Sequence, residues 1–390
     1  MVKPFRFSRL PLICFGQGEL RLLPGMLRKY GNEIILATDE KSFTGSSFAA
    51  RLFDSFKEYG ITWHHVIIPG EPSPELIDEV TRTYNDIEIG AVAGIGGGSV
   101  MDAGKAVSAM MYMKGSVKDY LEGVGTLDHP GTKLPYIALP TTSGTGSEAT
   151  KNAVLSQTGN NGFKKSLRHE NFVPDIAIID PLLTVGCPQN VTAASGMDCF
   201  TQLTESYLST KACEFTDALA LEGLMAVKRS LWRSFIDGTD IDARNDMSFA
   251  ALNSGICLAN AGLGAVHGFA SSVGGMYEIP HGLICGTLMA EANAVNVREL
   301  RKGNENVTAM KKYSALGRIF VDAGDKSDDY CIDAFVDYLR QLTDSLKLPP
   351  LRQLGIKESE IRSICETTEI KNNPVYLSVD DLIEILNRRF

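Results

Sequence analysis

The first half of the chain alternates short β-branched runs with amphipathic stretches. "EIILAT" (33–38), "HHVIIP" (64–69), "IGAVAGIGG" (89–97), "LPYIALP" (134–140) and "IAIID" (176–180) are apolar with little polar alternation. Such runs predict strands covered on both faces, hence a parallel sheet with helical crossovers. "PELIDEVTRTYN" (74–85) reads as one crossover, with a Ser-Pro start suited to a helix N-terminus. Beyond "IIDP" the texture changes. "EFTDALALEGLMAVKRSLWRSFIDG", "KKYSALGRIFVDAG", "AFVDYLRQLTDSLKL" and "VDDLIEILNRRF" carry helical periodicity, and strand-like runs almost vanish. The expectation is an α/β domain over residues 1–184 and an all-helical domain over 185–390.

Composition narrows the class. A chain of 390 residues exceeds one hydrophobic core and suits two domains. The formal charge of −9 and the absence of any basic cluster argue against a nucleic-acid partner. The opening "MVKPFRFSRLPLICFG" has too short an apolar core for a signal segment. Met247 to Tyr277 lacks Asp, Glu, Lys and Arg, yet it holds Asn253, Asn260, His267, Ser271, Ser272 and six glycines. That composition fits a helix buried in protein rather than a membrane span. The eight cysteines are scattered without CxxC spacing and read as reduced thiols. A cytoplasmic protein without a membrane partner is expected.

Two loops carry candidate chemistry. In "AVAGIGGGSVMDAGKA" an apolar strand runs into Gly94, Gly96, Gly97 and Gly98, and Ser99 follows at a helix start. Backbone N–H groups there, with no Cβ in the way, suit a pyrophosphate. The stretch matches neither the Walker A pattern nor GxGxxG, and a tight structural turn is the competing reading. "LPTTSGTGSEAT" (139–150) places Thr141, Thr142, Ser143, Thr145 and Ser147 around Gly144 and Gly146, again directly after a strand. Together the loops point to a dinucleotide at the carboxyl ends of a sheet. Asp39 ends the strand "EIILATD"; it can accept ribose hydroxyls and disfavour a 2′-phosphate, or cap the helix that follows.

The histidines are few. His64 and His65 lie on a strand and read as structural; His129, in the "TLDHPG" turn, reads as solvated. His267 lies in the uncharged run and His281 in "IPHG", where Pro280 can start a helix. In "GMDCFTQLTESY" Asp198 and Gln202 stand four apart, on one helical face. A single buried imidazole is ordinarily a hydrogen-bonded core group. Two of them with the Asp198/Gln202 face point to a four-ligand site, and nitrogen and oxygen donors suit Zn(II) or Fe(II).

From "FGQGEL" through "GGGSVMDAGKA", "LPTTSGTGSEAT", "PDIAIIDPLLT", "AASGMDCFTQLTESY" and "VHGFASSVGGMYEIPHG" to "NPVYLSVDDL", the chain resembles the iron-containing (group III) alcohol dehydrogenases. The resemblance implies a dinucleotide-binding α/β domain with a parallel sheet, an all-α domain, an active site in the cleft between them, and a homodimer. This architecture is shared with dehydroquinate synthase. It implies a metal held by Asp198, His267 and His281, with Gln202 standing where the family has a fourth ligand, a histidine. Ser271 stands where the family has a further histidine near the nicotinamide. The phosphate loops fall on Gly96, Gly97, Gly98 and Ser99 and on Thr141, Thr142 and Ser143, with Asp102 near the nicotinamide amide. The family's nucleotide-contacting lysine falls on Lys164, with Lys165 one residue away, and Glu71 replaces a common Asn. Asp39 implies NAD in preference to NADP.

The implied reaction is hydride transfer between a small alcohol and the nicotinamide, with a divalent metal polarising the substrate oxygen. Ser271, a ribose hydroxyl and water would pass the proton. For Gln202 three accounts are open: a ligand to Fe(II) or Zn(II), a neighbour of a three-ligand site, or the mark of a lost metal, as in relatives resembling maleylacetate reductase. A lyase like dehydroquinate synthase and a non-catalytic NAD-binding protein are the alternatives from other classes. The former usually carries more basic residues than this chain shows.

Overall fold

In the computed structural model, which describes residues 2, 4–40, 42–159, 162–303 and 307–390, all five apolar runs become strands. The strands are β1 (Leu12–Phe15), β2 (Glu33–Asp39), β3 (Thr62–Ile68), β4 (Ala91–Gly96), β5 (Tyr136–Pro140), β6 (Asn152–Gln157), β7 (Phe163–Arg168) and β8 (Ile176–Ile179). Six of them form one parallel sheet in the order β1-β8-β5-β4-β2-β3. The sheet is covered by α1 (Leu23–Leu27) and α2 (Ser47–Glu58) on one face and by α3 (Pro74–Thr83) and α4 (Gly98–Met110) on the other. Along β2 the side chains alternate between these layers: Ile34 and Leu36 join Leu23, Leu52 and Phe56, while Ile35 and Ala37 join Ile77, Val100 and Val107. Two buried faces leave no position for a polar residue, which is why the runs are continuous.

Strand order reverses beside β2. From β2 the chain steps outward to β3, then returns past β2 to β4, β5 and β8. Loops leaving the carboxyl ends of β2 and β4 therefore diverge and open a crevice, the usual ligand position in such sheets. β1 and the antiparallel hairpin β6–β7 were not expected from the sequence. β1 is a short edge strand with exposed Leu12, and "NAVLSQ" and "FKKSLR" are half polar because one face of the hairpin is open.

The second half is helical: α5 (Gln189–Leu208), α6 (Glu214–Ile236), α7 (Ile241–Ala261), α8 (Ala265–Met276), α9 (His281–Lys302), α10 (Val307–Val321), α11 (Asp328–Ser345), α12 (Ile361–Thr367) and α13 (Val379–Arg388). α9 serves two cores. Its Met289 packs with Phe200, Phe335 and Leu339, and its neighbour Leu288 packs with Phe269, Ile364 and Leu386. The uncharged stretch is not one helix but two, α7 and α8, meeting at 95° across Gly262–Gly264. No single helix among the described residues is long and apolar enough to cross a membrane.

Other expectations are corrected. His129 is not solvated: it is buried between the rings of Tyr120 and Phe172. There its Nδ1 accepts from Gly131 N–H at 2.9 Å and its Nε2 lies 3.1 Å from the Ala109 carbonyl. Asp39 does not cap α2, whose cap is Ser46. His64 does pair structurally, with Glu33 at 2.8 Å, and His65 with Thr38 at 2.8 Å. All eight cysteines are unbridged. In "IIDP" Asp180 is a fully buried tie: its carboxylate accepts from the N–H groups of Gly18, Leu20 and Leu182 at 3.0–3.1 Å, which fastens the "GQGEL" turn beneath the sheet.

Candidate active site

At the end of β4 the chain turns through glycines because side chains would not fit. A Cβ on Gly96 would lie 2.5 Å from Val100, and one on Gly98 would lie 2.7 Å from Thr145. Gly97, the cap of α4, offers no side chain, so the first N–H groups of that helix face open space. Thr145 belongs to the second loop, so the two turns pack on each other; the Thr141 N–H donates to the Gly96 carbonyl at 2.9 Å. Thr142 borders Gly97, and Ser143 Oγ meets Ser248 of α7 at 3.2 Å. Gly146, at φ +61°, presses on Gly255 of α7, where a Cβ on either residue would strike the other's backbone.

These loops form one end of a cleft of about 1510 Å³. That exceeds the roughly 300–1,000 Å³ usual for one small ligand and suits a dinucleotide with a substrate. Gly97, Gly98, Ser99, Asp102, Thr142 and Lys164 line it, and so do Asp198, Gln202, His267, Ser271 and His281 at the helical end. Gly96, Thr141 and Ser143 support the loops from beneath. Asp39 stands at the carboxyl end of β2, beside β4, and accepts from the N–H and hydroxyl of Ser42; that hydroxyl lies 3.5 Å from Thr141 Oγ1.

Asp102 accepts from Ser147 Oγ at 2.5 Å and from Val154 N–H at 3.1 Å. Burial raises its carboxyl above the usual range, against the pull of nearby Lys105. Lys105 is fully buried, and its Nζ sits 2.7–3.0 Å from the Ser147 and Asn152 carbonyls and the Ser147 and Thr150 hydroxyls. Burial pushes it down to about 8, against the pull of Asp102 and Glu148. This hub pins α4, the second loop and β6 together. Lys105→Met leaves several buried acceptors unmet and is expected to cost about 3 kcal/mol of stability, read as a lower urea midpoint. Lys164 faces the cleft from β7 and pairs with Glu71, while Lys165 points outward.

At the other end, α5 presents Asp198 and α8 presents His267 with its Nε2 3.3 Å from Asp198 Oδ1. α9 begins at His281, whose Nε2 lies 3.7 Å from the same oxygen. The elbow before α8 depends on Glu205, two turns after Asp198. Its carboxylate accepts from the N–H groups of Gly264 and Val266 at 2.9 and 2.7 Å, and from His267 Nδ1 at 2.7 Å. The Glu205 contact at Nδ1 turns the ring so that Nε2 faces Asp198, the arrangement of a carboxylate-oriented metal histidine. Burial alone would lower His267, but Cys285, Asp198 and Glu205 raise it well above its ordinary value. Burial pushes His281 down to about 3, against the pull of Asp198. Burial raises Asp198, but the two imidazoles outweigh it and hold it below the usual carboxylate range. The buried Nδ1 of His281 has no partner.

The sequence reading missed three residues here. Cys285 of α9 joins Asp198, His267 and His281, all four donor atoms lying within 4.8 Å of one another. Glu205 could have been suspected from its spacing of seven from Asp198, and Cys285 from its spacing of four from His281, both on one helix face. Lys371, in the loop after α12, carried no such signal. Its Nζ donates to the His267 carbonyl at 3.1 Å and lies 3.5 Å from Ser271 Oγ, which itself donates to that carbonyl at 2.9 Å. Gln202 is buried, with its Oε1 3.0 Å from Ser254 Oγ.

A parallel sheet with glycine turns at its carboxyl ends faces a buried carboxylate–imidazole cluster on helices across one cleft. Comparison with known proteins gives the family. The model of the iron-containing alcohol dehydrogenases matches residues 11–181, and the C-terminal model of the Fe-containing alcohol dehydrogenase family matches residues 192–390. Long-chain-alcohol dehydrogenase 1 of Geobacillus thermodenitrificans is 34% identical over 73% of this chain and 70% of its own. Alcohol dehydrogenase 4 of Saccharomyces cerevisiae is 28% identical over 97% of both chains. A halo-thermophilic archaeal alcohol dehydrogenase from a Red Sea brine pool superposes with a TM-score of 0.90 at 27% identity, over 100% of both chains. The chain belongs to the iron-containing alcohol dehydrogenase family. It is an NAD(P)-dependent oxidoreductase acting on small alcohols and aldehydes, and the lyase and metal-free readings are not favoured.

Proposed function

We propose that the cleft is the active site, that residues 1–184 bind NAD in preference to NADP, and that residues 185–390 hold a divalent metal, Fe(II) or Zn(II), through Asp198, His267 and His281. The observation that carries this reading is the single cleft joining Gly97, Gly98, Ser99 and Thr142 to those three residues. The donor set fits such a metal: one carboxylate and two imidazoles, Asp198 and His267 buried and His281 partly exposed to the cleft, with His267 oriented by Glu205. When bound, the metal supplies Lewis-acid polarisation of the substrate oxygen, and the nicotinamide gives or takes the hydride.

The chain's own residues do the rest. Gly97, Gly98 and Ser99 offer backbone N–H groups to the pyrophosphate, with Thr141, Thr142 and Ser143 walling the other side. Asp102 stands where the nicotinamide amide would lie, and Lys164 reaches the nucleotide from β7. Ser271 Oγ, steadied by Lys371, is the protic side chain placed to hand a proton toward solvent. Leu258, Leu263, Leu283 and Leu348 give the helical wall an aliphatic surface that suits the carbon chain of a small alcohol. A homodimer in the cytoplasm completes the reading.

Steady-state oxidation of NADH with a panel of small aldehydes, after supplying Fe(II) or Zn(II), tests it; no turnover with either metal would sink it. Coenzyme choice tests Asp39 separately. Asp39→Gly removes the carboxylate that repels a 2′-phosphate and is expected to raise kcat/KM with NADPH relative to NADH about tenfold or more, since about 1.4 kcal/mol of repulsion is tenfold. An unchanged ratio would assign Asp39 to the Ser42 turn alone.

A further inference from the structure

The family's fourth metal ligand has no histidine here, yet the cluster has four donors. We propose that Cys285, and not Gln202, is the fourth ligand, making an Asp198–His267–His281–Cys285 centre that takes Zn(II) ahead of Fe(II). This rests on the reading that the cluster holds a metal, and it changes the donor chemistry of that metal.

Three observations carry it. The first is spacing. Tetrahedral zinc with bonds of about 2.0–2.1 Å to nitrogen or oxygen and 2.3 Å to sulfur has donor–donor edges of about 3.3–3.6 Å. His267 Nε2 lies 3.3 Å from Asp198 Oδ1, His281 Nε2 lies 3.7 Å from it, and Cys285 Sγ lies 3.7 Å from His267 Nε2. These three edges are close to that spacing, and all four donor atoms lie within 4.8 Å of one another.

The second is how α9 is brought there. A Cβ on Gly282 would lie 2.3 Å from the Ala194 carbonyl oxygen, and one on Gly286 would lie 2.9 Å from Met197 Cβ. Two glycines four apart thus let α9 press against α5 at Asp198. His281 and Cys285, also four apart and each just before one of those glycines, are carried onto the carboxylate together.

The third is what Gln202 does instead. Its Oε1, the only atom of the amide with metal-donor character, lies 3.0 Å from the Ser254 hydroxyl on α7. That hydroxyl, also 2.8 Å from the Ala251 carbonyl, gives the amide oxygen a neutral neighbour within the protein.

On metal entry the Cys285 Sγ–H bond breaks, its proton leaves to solvent and a sulfur–metal bond forms, with no change of oxidation state. A thiolate donor moves the preference toward zinc, which binds nitrogen and sulfur sites more tightly than ferrous iron does.

Cobalt substitution reads the ligand directly. The full-length apoprotein is loaded with Co(II), and its near-ultraviolet spectrum is recorded beside metal content by elemental analysis. A cysteine-ligated cobalt centre shows a sulfur-to-cobalt charge-transfer band that a centre of nitrogen and oxygen donors lacks. The expected result is a bound equivalent of cobalt with the band present, the band lost in Cys285→Ser with zinc affinity reduced about 10- to 100-fold, and the band kept in Gln202→Ala. Should Cys285→Ser fail to fold, the spectrum of the unmodified protein decides alone. Cobalt bound without the band overturns the assignment to Cys285 and leaves the metal site standing. Neither cobalt nor zinc bound overturns both. Cobalt bound without the band in the unmodified protein, and lost in Gln202→Ala, returns the fourth position to Gln202.

Discussion

Asp198→Asn should lower kcat/KM for aldehyde reduction by about a thousandfold or more, near 4 kcal/mol of transition-state stabilisation. Asp198 is 1% exposed and is the point at which His267 and His281 converge. Asparagine preserves its volume, so the packing of α5 against α9 should survive. What disappears is the one anionic oxygen that both imidazoles face. The substituted amide is a weaker and neutral donor, and metal content should fall with activity. Glu205→Gln is the graded comparison. It keeps the shape and one acceptor beside His267 while removing the charge, and losses of that kind usually run to 10–100-fold. Steady-state kinetics and metal analysis of both variants check this. Activity of Asp198→Asn within tenfold of the unmodified enzyme would show that the cluster is structural.

The second large effect belongs to the opposite end of the cleft. Gly98→Val should weaken NADH binding about 100-fold, with metal content unchanged. The first added carbon already lies 2.7 Å from Thr145 Cγ2 and 3.1 Å from its Oγ1, so the second loop must retreat or the start of α4 must tilt. The valine branches then occupy the space above the helix N-terminus where a pyrophosphate would accept N–H groups. Gly97→Ala is the milder case, because its added carbon would meet Thr142 at an ordinary 3.5 Å. A fluorescence titration of bound NADH separates the two. Equal affinities for Gly98→Val and the unmodified protein would place the dinucleotide elsewhere. The two variants also dissociate the halves of the site: one should lose metal and keep nucleotide, the other the reverse.

Much of this was legible in the chain because the relevant physics is local. Strands buried on both faces read as unbroken apolar runs, and β2, β4, β5 and β8 announced themselves that way. The hairpin β6–β7 did not, since an element with one open face keeps its polar residues, and "FKKSLR" has no strand signature alone. His129 was misjudged because a Pro-Gly turn looks solvated until Tyr120 and Phe172 close over it. The uncharged run signalled burial correctly but not its bend, which comes from Gly262–Gly264 answering the carboxylate of Glu205. At the Asp198–His267–His281 cluster, the resemblance marks the position of Gln202 and says nothing of Cys285. Only the close approach of α9 to α5 shows which side chain arrives at Asp198.

The helix α8 touches both ends of the cleft. Its start carries His267, held by Glu205, and near its end a Cβ on Gly274 would lie 2.8 Å from Lys164 Cδ. Next to it, Gly162 of the β6–β7 connection lies so close to Gly275 that a Cβ would come 2.4 Å from that carbonyl oxygen. A rod held at one end by the Glu205 carboxylate and packed at the other against Lys164 sets the distance between the imidazole and that lysine. The two ends of the cleft are in that sense gauged by one helix.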